Sequence, residues 1–117
     1  MQGKRLDRVN QLIKEEISIL LQRELKDPRL GFVTVTQVDT AKDLSRAKVF
    51  VSVLGDDGQW AASLTALGSA RGFIRQWLRH HLDLRVTPEL DFKADHSMEH
   101  AARIQALLRR LNEDAPS

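Results

Sequence analysis

The sequence predicts an α+β domain, a small three-stranded mixed sheet covered by helices in the order α-β-β-α-β-α. Three observations carry that prediction. Leu6, Val9, Ile13, Ile17, Leu20 and Leu21 recur at spacings of three and four, the mark of an amphipathic helix. Two valine-rich stretches, 32–39 and 45–54, are joined by a short polar link, which favours an antiparallel pair. A long helical stretch then separates the second strand from a third, and such a crossover makes those two strands parallel.

The elements follow in order. The first helix spans residues 5–26 and is closed by Asp27-Pro28, because the residue before proline is pushed out of the helical region. Gly31 then offers a permissive backbone position before the first strand, Phe32 to Asp39. In the second strand Ala47, Val49, Val51 and Val53 share one face, and Arg46, Lys48, Phe50 and Ser52 the other. For Phe32 and Phe50, core burial is expected over stacking on an exposed sheet face. Gly55-Asp56-Asp57-Gly58 is a turn. A third strand alternates from Val86 to Lys93, with Pro88 placing it at an edge or near the strand start. Ser97 is the expected N-cap of a last helix carrying Ala101, Ile104, Leu107, Leu108 and Leu111. Residues 1–112 form the domain, and 113–117 a polar, fraying tail.

The stretch from Trp60 to Leu84 organises the rest. Leu64, Leu67, Ile74, Trp77 and Leu78 mark a face that lies on the core. Arg71, Arg75 and Arg79 come every fourth residue, which on a helix confines them to an arc of about 80°. Gly68 and Gly72 interrupt this pattern, each costing roughly 1 kcal/mol relative to Ala in a regular helix. The stretch is a helix with a weak joint, an apolar side and an arginine row.

Composition sets the bounds. One hundred and seventeen residues is one domain's worth of chain, able to bury roughly two-thirds of its unfolded surface. No cysteine is present, so disulfides and thiolate metal sites are excluded. No apolar run approaches a membrane span, and a soluble cytoplasmic protein is the default expectation. The net charge is only +2, but residues 60–86 hold four arginines against one acid. Clustering of that kind is a footprint for an anionic partner; the plainer reading is a solvated helix face.

Several motifs in register resemble one bacterial family. They are Leu25-Lys26-Asp27-Pro28-Arg29-Leu30-Gly31, the Val-Thr-Val-Thr strand after it, and Asp43 to Val51. Gly72-Phe73-Ile74-Arg75 and Val86 to Phe92 continue the match, so that residues 5–111 as a whole resemble ribosome-binding factor A. The resemblance implies a type II KH-like fold and a non-enzymatic role, without cofactor or metal, in assembling the small (30S) ribosomal subunit. It implies binding to 16S rRNA, support for maturation of its 5′ end, and a need greatest in the cold. It also implies assembly GTPases as functional partners. A monomer is the separate, default expectation. KH domains ordinarily clamp nucleic-acid backbone with a Gly-x-x-Gly loop between two helices. The family replaces that loop with an Ala-x-Gly kink, matched here by Ala70-Arg71-Gly72 with Ser69 before it.

Physically, small residues at a kink let a phosphate approach the backbone, and amides at the start of the following half-helix can donate to it. Arg71, Arg75 and Arg79 would add forked, permanently charged donors along the same surface. For Gly72 the structural alternative is close packing of helix on sheet. Arg29 is either an rRNA contact or a partner for Asp27. Lys4, Arg5 and Arg8 are secondary contacts, whereas Arg46 and Lys48 read as ordinary outward strand residues. Two rival readings remain. One is a general KH-like RNA-binding protein without ribosome specificity. The other is a small metal-dependent hydrolase using His96, Glu99 and His100; against it, Ser97 as N-cap leaves His96 outside the helix, and a zinc assay on the purified protein separates it. Gly55-Asp56-Asp57-Gly58 is a literal Gly-x-x-Gly, but its two aspartates would repel phosphate. His80 and His81 are adjacent, so on a helix their side chains diverge by about 100° and make no ligand pair.

Overall fold

Strand alternation decides which face of the sheet is covered. In the structure, a computed structural model that describes residues 2–25 and 27–114, three strands form one sheet in the order β1 (Phe32–Thr40), β2 (Arg46–Leu54), β3 (Glu89–Ala94). β1 and β2 are antiparallel; β2 and β3 are parallel. Val35, Val38, Ala47, Val49, Val51, Val53 and Leu90 are buried on one side. Burying a Val or Leu side chain is worth about 1.5–3 kcal/mol, so this face drives the packing.

Three helices lie on that face. Ile13, Ile17 and Leu20 of α1 (Gln2–Arg23), Leu67 of α2 (Asp57–Ser69), and Ile74 and Leu78 of α3 (Arg71–His81) join the strand valines in one core. Polar ties at its margin set the angles. Trp77 Nε1 donates to Glu16 Oε1 at 3.0 Å, joining α3 to α1. The amide of Thr40 donates to Asn10 Oδ1 at 2.9 Å. Ser63 Oγ accepts from the amide of Gly31 at 3.2 Å, tying α2 to the segment before β1. The α+β, KH-like arrangement expected from the sequence is the one found.

Several expectations are corrected. α1 stops at Arg23, and the amides of Glu24 and Leu25 both donate to Leu20 O at 2.9 Å, so Asp27-Pro28 forms the following turn rather than the helix stop. Gly31 has no positive φ, and a Cβ there would meet only ordinary contacts. Gly55, at φ 148°, is the glycine that the backbone requires. β3 begins at Glu89, so Val86, Thr87 and Pro88 form its approach, with Pro88 buried. Neither Phe32 nor Phe50 is in the core, and Phe50 is half-buried on the strand face opposite the core valines. Phe32 is 81% exposed and pairs in register with Leu54, which is 74% exposed. Alternation explains this, since Val33 and Val35 take the covered side and leave Phe32 and Thr34 on the open one.

The last helix, α4 (Ser97–Asp114), does not cover the sheet. Ile104, Leu107, Leu108 and Leu111 are 44–66% exposed. The covered face is already filled by α1, α2 and α3. Among the described residues, the side-chain hydrogen bonds that tie α4 to the rest of the fold come from its first turn. Trp60 Nε1 donates to Glu99 Oε1 at 3.1 Å, and the His96 ring lies 4.1 Å from that of Trp60. Ser97 is the first helical residue rather than the cap. Asp95 Oδ1 accepts from its amide at 2.9 Å, and Thr36 Oγ1 donates to Asp95 Oδ2 at 2.6 Å. Thr36 reaches Asp95 because the β1–β2 register slips between Val35 and Gln37. Of the expected tail, residues 113 and 114 continue α4, and 115–117 lie outside the described residues, as does Lys26.

Candidate nucleic-acid interface

The weak joint is a break between two helices. α2 opens on a capping box, with Asp56 accepting from the Gln59 amide and Gln59 from the Asp56 amide, and it closes at Ser69. Ala70 alone separates it from α3, at φ −87° and ψ 1°. Its amide donates to Ala66 O at 3.0 Å, and its carbonyl accepts from Ile74 N at 2.9 Å. No side chain caps the start of α3. The first-turn amides of a helix have no intrahelical acceptor, so an uncapped start leaves donors for an outside anion.

Gly72 sits in that first turn. A Cβ built there meets nothing within 4 Å, and the same holds at Gly68. Close packing of helix on sheet is therefore not the reason for either glycine. Gly72 faces open space beside a hollow of about 290 Å³ lined by Arg46, Arg71, Gly72, Arg75, Glu89 and Leu90.

The three arginines of the row differ. Arg71 and Arg79 are exposed, and neither has an ion-pair partner among the described residues. Arg75 is half-buried, and its Nε and Nη2 donate to the Thr87 carbonyl at 3.2 and 3.0 Å. It fastens α3 to the approach to β3. Arg46, read as an ordinary strand residue, enters the hollow from the sheet. It pairs with Asp91 at 2.9 Å and Glu89 at 3.5 Å. Its hydrogen bonds hold the Asp91 carboxyl below the usual range, with Lys93 and Arg71 adding to the effect. Local pattern could not have found Arg46, because its place depends on the β2–β3 register.

Of the other candidates, Ser69 and Ala70 adjoin the hollow through the chain, Ser69 being exposed at the end of α2. Arg29 does not line it. The Arg29 Nε and Nη2 donate to the two Asp27 carboxylate oxygens at 3.1 and 2.7 Å, and its amide to Oδ1 at 2.9 Å. Those bonds pull the Asp27 pKa down to about 2, the side-chain bond being the chief cause. Arg29 is thus the partner of Asp27, with 44% of its side chain exposed. Lys4, Arg5 and Arg8 are exposed on the first turns of α1. His81 is stacked on Trp77 at 3.9 Å, and His96 and Glu99 are engaged with Trp60 and with each other. Among the described residues no group of three or more His, Asp or Glu side chains is placed to hold a metal ion.

Comparison with known proteins puts this geometry in context. The family model described as ribosome-binding factor A matches residues 5–108. A ribosome-binding factor A from Thermomicrobium roseum is 46% identical over 114 residues, 97% of this chain and 88% of that protein. The crystal structure of ribosome-binding factor A from Thermus thermophilus superimposes with a TM-score of 0.69 at 27% identity, covering 76% of this chain and 94% of that one. A homology model of the Thermus thermophilus factor, fitted into a cryo-electron microscopy map of a 30S complex, has a TM-score of 0.61 at 29% identity, covering 74% and 90%.

Proposed function

The chain belongs to the ribosome-binding factor A family, and from that premise we propose that it is a non-catalytic assembly factor that binds the small ribosomal subunit. Its ligand there is 16S rRNA, whose 5′-end maturation it assists, most importantly in the cold. It works in the cytoplasm, as a monomer, alongside assembly GTPases.

The observation that carries the reading is the open, uncapped start of α3 at Gly72. With no side chain in the way, a phosphate comes within reach of the first-turn amides, and the helix dipole favours negative charge there. Arg71 on one side and Arg79 two turns on add donors along the same line. Contacts of this kind position the protein without reading sequence, so preference for the subunit arises from rRNA shape. The chemistry is occupancy: the basic surface holds one rRNA conformation during maturation. The homology model of the Thermus thermophilus factor, fitted into a map of a 30S complex, supports the choice of particle.

Sedimentation with purified 30S subunits, 70S ribosomes and an unrelated structured RNA tests it. Preference for 30S is expected. Equal binding to all three would replace the reading with general RNA binding.

A further inference from the structure

A second hollow lies at the same end of the sheet. Arg5, Leu6 and Val9 of α1, Lys42, Asp43 and Leu44 of the β1–β2 turn, and Arg85 and Val86 of the α3–β3 connection enclose a groove of about 440 Å³. That volume lies within the range of small-molecule sites. Its make-up is divided. Leu6, Val9, Leu44 and Val86 form an apolar floor, and Arg5, Lys42 and Arg85 are exposed bases at the rim. None of those bases has an ion-pair partner among the described residues. The one acid, Asp43, uses its Oδ1 to accept from the Ser45 amide at 3.0 Å and the Ser45 hydroxyl at 2.6 Å.

The backbone at the groove is strained. Leu44 has φ 63°, and it is the one non-glycine with positive φ among the described residues. For a residue with a Cβ this conformation costs about 1–2 kcal/mol. The Leu44 amide donates to Ala41 O at 2.9 Å and, with the Asp43–Ser45 bonds, holds the turn in place. Glycine would adopt that φ without strain, and the leucine side chain is only half-buried, so core packing returns little of the cost. What the side chain does supply is an apolar wall.

We propose that this groove receives one unstacked nucleotide of the bound RNA, its base on the Leu6–Val9–Leu44–Val86 floor and its phosphate among Arg5, Lys42 and Arg85. The groove joins an apolar floor to a basic rim. An unpaired nucleotide matches both, offering a base face to the floor and a phosphate to the rim, and a paired one cannot present its face. The groove also continues the surface at the kink. Two short segments run from one hollow to the other. Asp43 and Leu44 line this groove and Arg46 the first; Arg85 and Val86 line this groove, and Glu89 and Leu90 the first. Glu89 N donates to Ser45 O at 3.0 Å, and Arg75 is fastened to Thr87 between them. The proposal rests on the RNA-binding reading and adds a site that selects single-stranded over paired RNA.

The test follows methyl and amide NMR signals of the full chain during titration with a short single-stranded oligoribonucleotide, and with the same sequence as a duplex. Shifts of the Leu44, Val86 and Leu6 methyls with the single strand, and not with the duplex, support the site. Arg5→Gln with Arg85→Gln should then weaken the single strand about tenfold, as should Leu44→Gly, which removes the wall while relieving the strain. If Gly72 and Arg71 amides shift while the groove methyls stay silent, RNA binding stands and the nucleotide site is wrong. If neither region responds and 30S subunits are not bound either, both readings fall together. Thermal melts keep the variants interpretable, and an unfolded Leu44→Gly protein would show that the wall is structural and overturn the proposal.

Discussion

Arg75 is bound to Thr87. Two guanidinium donors, at 3.2 and 3.0 Å, converge on one carbonyl twelve residues further along the chain, fastening α3 to the approach to β3. The arginine row, uniform in sequence, is thereby split into a structural middle and two free ends. Arg75→Ala should cost about 1.5–3 kcal/mol in urea unfolding, the range for hydrogen bonds to a charged group. Arg71→Ala and Arg79→Ala should stay within about 0.5 kcal/mol of the parent, as exposed residues without partners do.

Gly72→Ala separates packing from access. Since an added methyl meets nothing within 4 Å, the substitution should raise stability, by up to about 1 kcal/mol from helix propensity. RNA affinity should fall in the same variant, because the methyl stands where a phosphate approaches. A more stable protein with undiminished binding would remove Gly72 from the interface.

The turn before β1 carries a pH signature. The folded-state pKa of Asp27 is depressed to about 2 by Arg29, whereas an unfolded aspartate titrates near about 3.9. The pair's stabilisation is thus complete above that value and is lost as pH falls toward 2. NMR titration should find the Asp27 carboxyl still ionised at pH values where ordinary aspartates have protonated. Arg29→Ala should return it toward the ordinary value and leave RNA affinity little changed, since Arg29 lines neither hollow.

The leucines of α4 should be silent for stability. Leu108→Gln and Leu111→Gln alter side chains that are 55% and 66% exposed, so urea midpoints should move by no more than about 0.5 kcal/mol equivalent. Trp60→Phe is different. It removes the donor to Glu99 and should loosen the anchored first turn, seen as faster amide exchange from Met98 to Ala102.

These contrasts show what the sequence makes legible. Alternation in β2 placed Ala47, Val49, Val51 and Val53 on the covered face, and the three- and four-residue spacing of Ile13, Ile17 and Leu20 placed α1 on the core. Gly68 and Gly72 flagged the joint, but periodicity could not reveal that the chain breaks at Ala70. Phe32 was misjudged because hydrophobicity suggested burial where strand register dictated exposure. α4 was misjudged likewise, for its stripe is amphipathic whether or not a surface is free to receive it. The roles of Arg46, Arg75 and Arg29 depend on which carbonyl or carboxylate the fold brings within about 3 Å, and charge spacing along the chain does not encode that.

The most direct test of the central claim is 30S binding across a salt series, for the parent and for Arg71→Ala with Arg79→Ala. If these two arginines contact rRNA phosphates, the double variant should bind more weakly, and the slope of log affinity against log salt should become shallower by about one and a half units. An unchanged slope with 30S binding intact would contradict the placement of the interface on α3.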